Sequence, residues 1–226
     1  QSNEPVDKII FHRVSETDCL MTETGVGSGV LNRPAARFVA IGLFLMAFFK
    51  HLGVVALYGL SALLAVALIV IFGAFAVIFV INGVQLFRSA AGLPLPVGAE
   101  GNAAVAIAGG FGVTFASEGV VIAIVCALLA INDGYAYFAP AIALIVGLHF
   151  IPFGFLFARI DFYIAAWVVI WAIVGIWLIA SQTLAAPLVA SLVGVATACG
   201  TSAYGVYMRR VKRAIMAALD ESVHPA

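Results

Sequence analysis

From Phe38 to Phe87 the chain is apolar for 50 residues, broken mainly by Lys50, His51 and Asn82. As one helix, rising roughly 1.5 Å per residue, this stretch would be about 75 Å long, against a hydrocarbon core of roughly 30 Å. It must fold back on itself. The turn belongs near "YGLSA", Tyr58 to Ala62, where Gly59 and Ser61 tolerate a reversal and Tyr58 suits an interface. That places span one at 38–59 and span two at 62–87.

The same reading continues down the chain. "RSAAGLPLPVGAEGN", 88–102, is a loop by its prolines, glycines and charges. Span three follows at 103–130, the turn "NDGYAY" at 132–137, and span four at 138–158. Span five covers 162–180, "SQTLAAP" turns the chain at 181–187, and span six covers 188–208, stopping at "RRVKR". The fold class is therefore all-α, a polytopic transmembrane bundle of six spans with both termini cytoplasmic. Composition agrees: 64% of residues are hydrophobic and 10% charged, where soluble domains carry about 25% charged residues. The formal net charge is zero, so charge gives no reason to expect a nucleic-acid partner. The lipid bilayer is the expected partner, with a homo-oligomer or a second membrane protein open beside it. Cys19, Cys126 and Cys199 are far apart and fit no metal spacing.

Charge placement tests the count. With the N-terminus inside, the inner side holds Arg33, Arg37, Arg88, Arg159, Arg209, Arg210, Lys212 and Arg213, and the outer turns hold no Lys or Arg. This is the positive-inside pattern. A five-span alternative makes 36–50 a surface helix and 52–81 one long span; it strands Arg33, Arg37 and Lys50 outside.

Residues 1–20, "QSNEPVDKIIFHRVSETDCL", are polar and lack an apolar signal region, and the first methionine is Met21. They read as a non-native upstream segment. Residues 21–36 then form a cytoplasmic N-terminal segment, 37–208 the membrane domain, and 209–226 a basic cytoplasmic tail. Arg209, Arg210, Lys212 and Arg213 set topology and touch anionic headgroups on this reading.

Helices in lipid associate by close contact. Span three has small residues at Ala104, Ala108, Gly112 and Ala116, and span six at Ala190, Gly194, Ala198 and Ser202. Each set lies on one helix face, and both faces are expected to be buried. Trp167, Trp171 and Trp177 of span five read as lipid-facing or interfacial.

Five ionisable or amide side chains fall inside spans: Lys50, His51, Asn82, Glu118 and His149. Counted from the outer turns, Lys50, Glu118 and His149 lie about 15–18 Å deep, near mid-membrane. A lone charge there costs about 2.5–3.5 kcal/mol on insertion scales. Glu118 is therefore expected to point inward and pair with His149, Lys50 or both. Pro152 removes the helical donor of the Leu148 carbonyl and predicts a kink, with Gly147 and Gly154 flanking it. Asn82 reads as an interhelical hydrogen bond, and Arg159 and Asp161 as boundary anchors. A buried Glu–His pair can fix helix register or handle protons, and both readings stay open here.

No H-E-x-x-H, G-x-S-x-G or G-x-x-x-x-G-K motif occurs, so neither an enzyme nor a cofactor or metal site is expected. At "FASEGVVIAIVCALLAINDGYAYFAPAIALIVGLHFIPFGFLF", 115–157, the chain resembles a group of uncharacterised bacterial multi-pass integral membrane proteins. They share an "EG" pair, here Glu118–Gly119, and then a Pro–"IALIVGLHF"–Pro segment, here Pro140 to Pro152. Lys50 departs from the group's smaller or apolar residue in span one. The resemblance implies a small inner-membrane protein, points at Glu118 and His149, and supplies no activity. The expectation is a small transporter, channel or proton-coupled sensor, with a non-catalytic membrane subunit or scaffold as the alternative.

Overall fold

The computed structural model describes residues 33–93, 98–156 and 159–223, with the side chains at 35, 49–56, 98–108, 111, 156 and 218–223 left out. The expected segment 1–20 lies outside the described residues. Six α-helices follow in order: α1 Arg33–Val55, α2 Ala62–Ser89, α3 Gly98–Ile131, α4 Phe138–Leu156, α5 Ile160–Ala180 and α6 Ala186–Val223. Short 3-10 turns occupy Ala56–Gly59, Ala90–Gly92 and Tyr135–Tyr137, and no strand occurs among the described residues. Five helical segments are long and apolar enough to cross a membrane: Ala62–Gly92, Gly112–Ile131, Tyr135–Phe155, Ile160–Ala180 and Ala186–Ala217. The apolar part of α1 among the described residues, Ala36–Phe48, is shorter. The chain is thus an all-helical protein with the makeup of a multi-pass membrane protein.

The core sits where α1, α2, α4, α5 and α6 converge, around Leu43, Phe79, Phe150, Val168 and Val193. Helix α1 packs against α2 and α6, α5 against α4 and α6, and α3 chiefly against α4. Outward faces of α2 are apolar, as at Leu63 and Val70, which suits lipid rather than water.

Glycines mark the tightest contacts. A Cβ on Gly205 of α6 would overlap the buried Phe79 ring of α2. One on Gly59 would overlap the Pro187 carbonyl, and the Gly59 amide donates to Ser191 Oγ at 3.0 Å. The first reversal thus needs glycine for close approach to the start of α6. Gly147 faces Val168 and Val169, and Gly154 faces the Phe162 ring. Both are packing contacts between α4 and α5, not hinges. Helix α4 runs through Pro152 to Leu156. Pro152 and Leu148 are exposed, whereas His149 is buried.

Helices α3 and α5 end alike. Gly134 N–H donates to Leu129 O and Asp133 N–H to Ala130 O; Thr183 N–H donates to Leu178 O and Gln182 N–H to Ile179 O. This double bond pattern is the Schellman motif, with its C′ residue left-handed. Asp133 and Gln182 hold that position at φ 54° each.

One expectation changes here. The small-residue face of α3 is not buried: Gly112 and Ala116 are exposed, and a Cβ on Gly112 would meet nothing. Ala104 and Ala108 lie outside the described side chains. The matching face of α6 is buried at Ala190, Gly194 and Ala198. Helix α6 runs on through "RRVKR" to Val223, 38 residues in all, about 57 Å. Val211 and Ile215 pack there against Ala36, Ala40, Leu86 and Ala90, and this tertiary contact carries the helix past its charges.

Candidate functional site

The turn at 132–137 makes α3 and α4 adjacent and antiparallel. Glu118 precedes the end of α3 at Ile131 by 13 residues (131 − 118), and His149 follows the start of α4 at Phe138 by 11 (149 − 138). Both therefore lie about 17–20 Å from the turn along their helices. Glu118 Oε2 is 3.1 Å from His149 Nδ1. The residues are 6% and 7% exposed.

Aromatic rings surround the imidazole. Phe150 stacks on it at 4.9 Å between centroids; Phe153 and Phe115 meet it edge-on at 4.6 and 6.0 Å. Phe115 comes from α3, one turn before Glu118, so both helices wall the pair. Such walls lower the local dielectric, which strengthens attraction between the two groups and raises the cost of leaving either alone. Glu118 Oε1 is buried and has no hydrogen-bond partner among the described residues. The neighbouring Ser117 hydroxyl is turned back to the Thr114 carbonyl at 2.8 Å. No third His, Cys, Asp or Glu joins the pair to make a metal site among the described residues. The arrangement holds an acid and a base in contact, away from bulk solvent, and can pass or store a proton.

Lys50 and His51 lie on α1 with side chains outside the described residues. Asn82 donates from Nδ2 to Ile78 O at 2.7 Å and accepts from Lys212 Nζ at 2.9 Å. That is the interhelical bond its position in an apolar span suggests. Gln85 Oε1 accepts from the same ammonium at 2.5 Å. Lys212 is 8% exposed and turned onto α2. Arg210 and Arg213 are exposed, and Arg209 is half-buried. Trp177 is exposed as expected, whereas Trp167 also serves the interior, donating from Nε1 to Ala196 O at 2.8 Å. Cys126 and Cys199 are free thiols.

Asp161 is the residue that the sequence conceals. Read as a boundary anchor, it is fully buried, with 0% exposure. It sits in the first turn of α5, where the helix dipole favours a carboxylate, and the Tyr204 hydroxyl of α6 faces it. Tyr204 meets Phe150 edge-on at 5.9 Å, and Phe150 stacks on His149. One ring thus separates the Glu118–His149 pair from the Tyr204–Asp161 pair. The apolar "FYIAAW" that follows gives a hint, since a first-turn acid on a helix that continues apolar can turn inward. No family model, curated protein or solved structure matches this chain, so the resemblance at 115–157 stands on those residues alone.

Proposed function

We propose that the protein handles protons within a bilayer, as a small transporter, channel or proton-coupled sensor. The observation that carries this reading is the buried Glu118–His149 contact at 3.1 Å on two apolar helices. Ionisable groups at membrane depth are costly, and such residues mark ion and proton pathways more often than buried carboxylates of soluble proteins do. Imidazole is also the side chain whose ordinary titration falls nearest physiological pH. On this reading α1 is a sixth span: it has 23 residues, about 35 Å of helix, and packs between α2 and α6. Both termini then face the cytoplasm of a bacterial inner membrane, following the basic residues. The test is proton flux into proteoliposomes driven by an imposed potential and read by an internal pH dye. Wild type and Glu118→Asp carry flux, and Glu118→Gln does not. Equal flux in wild type, Glu118→Gln and empty vesicles overturns the reading.

A second reading, a membrane subunit or scaffold, draws on α3. Its exposed Gly112, Ala116 and Gly119 leave open space on a helix held chiefly by α4. A fixed membrane partner in mild detergent, lost in Gly112→Leu while Glu118→Gln retains it, distinguishes this case.

A further inference from the structure

Among the described side chains, the end of the bundle where α1 begins, α2 ends and α6 extends has a surplus of cations. Ala36 and Ala40 of α1, Leu86, Ala90 and Leu93 of the α2 end, and Val211 and Ile215 of α6 form one packed cluster. The basic residues on the same stretches of these helices therefore lie at this one end of the bundle. Arg33 Nε donates to Leu93 O at 3.1 Å. The Arg37 guanidinium lies 5.1 Å above the Phe87 ring. Lys212 is held by the Asn82 and Gln85 amides, with Arg209 and Arg213 in electrostatic range. Among the described side chains of α1, α2 and α6 there is no Asp or Glu. Asp161 of α5 meets α6 at Tyr204, five residues before Arg209.

Two features distinguish this cluster from a solvated basic face. Lys212 is buried, yet the amides of Asn82 and Gln85 that hold it are neutral and occupy two of the three donors of an ammonium. Arg37 Nε and Arg209 Nε are both buried and without a hydrogen-bond partner among the described residues. A buried donor left unmade costs free energy, and like charges near one another repel. One compact anion with several oxygens relieves both problems, and guanidinium groups match phosphate oxygens with paired N–H donors.

We infer that this end of the bundle binds a phosphate-bearing anion, with Arg37, Arg209 and Lys212 as its cationic ligands. The phosphate belongs either to an anionic phospholipid headgroup of the adjacent leaflet or to a free phosphate compound. The inference is independent of the Glu118–His149 reading.

Purified protein in nanodiscs of phosphatidylcholine, with or without phosphatidylglycerol, is analysed by native mass spectrometry after mild release. In parallel, thermal unfolding in phosphatidylcholine nanodiscs is followed as inorganic phosphate is added. Retention of phosphatidylglycerol, weakened about tenfold or more by Arg209→Gln and Arg37→Gln, identifies a headgroup site. Stabilisation by inorganic phosphate, lost in the same variants, identifies a free-phosphate site. Arg210→Gln, at an exposed position, leaves either signal unchanged. Arg209→Lys and Arg37→Lys keep the charge and lose Nε, and they give intermediate losses even where the Gln variants or Lys212→Met fail to fold. Binding reduced equally by Arg210→Gln, or no retention and no stabilisation in wild type, overturns the inference.

Discussion

Truncating Glu118 and His149 singly and together measures what holds the candidate site. At 3.1 Å and an effective dielectric near 20, two opposite unit charges attract by about 5 kcal/mol, a ceiling for an ion pair. A neutral acid against a neutral imidazole is instead a hydrogen bond between helices in a membrane, with a coupling of about 0.6–1.7 kcal/mol. Each single variant, Glu118→Ala or His149→Ala, leaves a buried polar partner exposed to apolar walls. If the pair is ionic, each costs about 3–5 kcal/mol; if neutral, less. The assay is reversible unfolding in mixed micelles for wild type, both singles and the double variant. Non-additivity above about 2 kcal/mol identifies an ion pair, and about 0.6–1.7 kcal/mol a neutral one. Single-variant costs that add within about 0.3 kcal/mol mean no direct coupling and refute the pairing.

Three further outcomes follow from packing and helix ends. Gly205→Ala drives a methyl into the Phe79 ring, which is 0% exposed; it costs about 1–3 kcal/mol, and Phe79→Leu in the same chain restores much of the loss in the unfolding assay. Gln182→Gly relieves a left-handed residue at φ 54° and raises stability by up to about 1 kcal/mol, whereas Gln182→Val lowers the Tm. Trp167→Phe keeps the ring and removes the donor to Ala196 O, costing about 0.5–1.5 kcal/mol; no measurable loss means the bond contributes nothing to the α5–α6 contact.

The turns were readable because each rests on local chemistry. "YGLSA" and "NDGYAY" combine glycines, short polar residues and interfacial tyrosines, and the chain reverses at both. Glu118 and His149 could be placed at one depth because residue counts from a shared short turn translate directly into distance along two helices. Rotation about the helix axis was less accessible. Ala190 and Gly112 belong to stripes of equal spacing, yet one is buried and the other exposed, because the stripe does not say which neighbour arrives. Asp161 and Lys212 have partners that were hidden for a related reason. A charge near a span end suggests an interface, but Asp161 turns toward Tyr204 and Lys212 toward Asn82 and Gln85. Those partners lie on other helices, distant in sequence. The continuation of α6 through its basic run likewise depends on α1 and α2 packing on Val211 and Ile215.

The most direct measurement of the central claim is infrared difference spectroscopy of the protein in lipid while the bathing pH is stepped. A carboxylic acid in an apolar niche absorbs apart from one in water, and Glu118 is a buried acid walled by aromatic rings. The account predicts a pH-sensitive carboxyl band that vanishes in Glu118→Gln and shifts in His149→Gln. A spectrum with no pH-sensitive band that depends on Glu118 would contradict it.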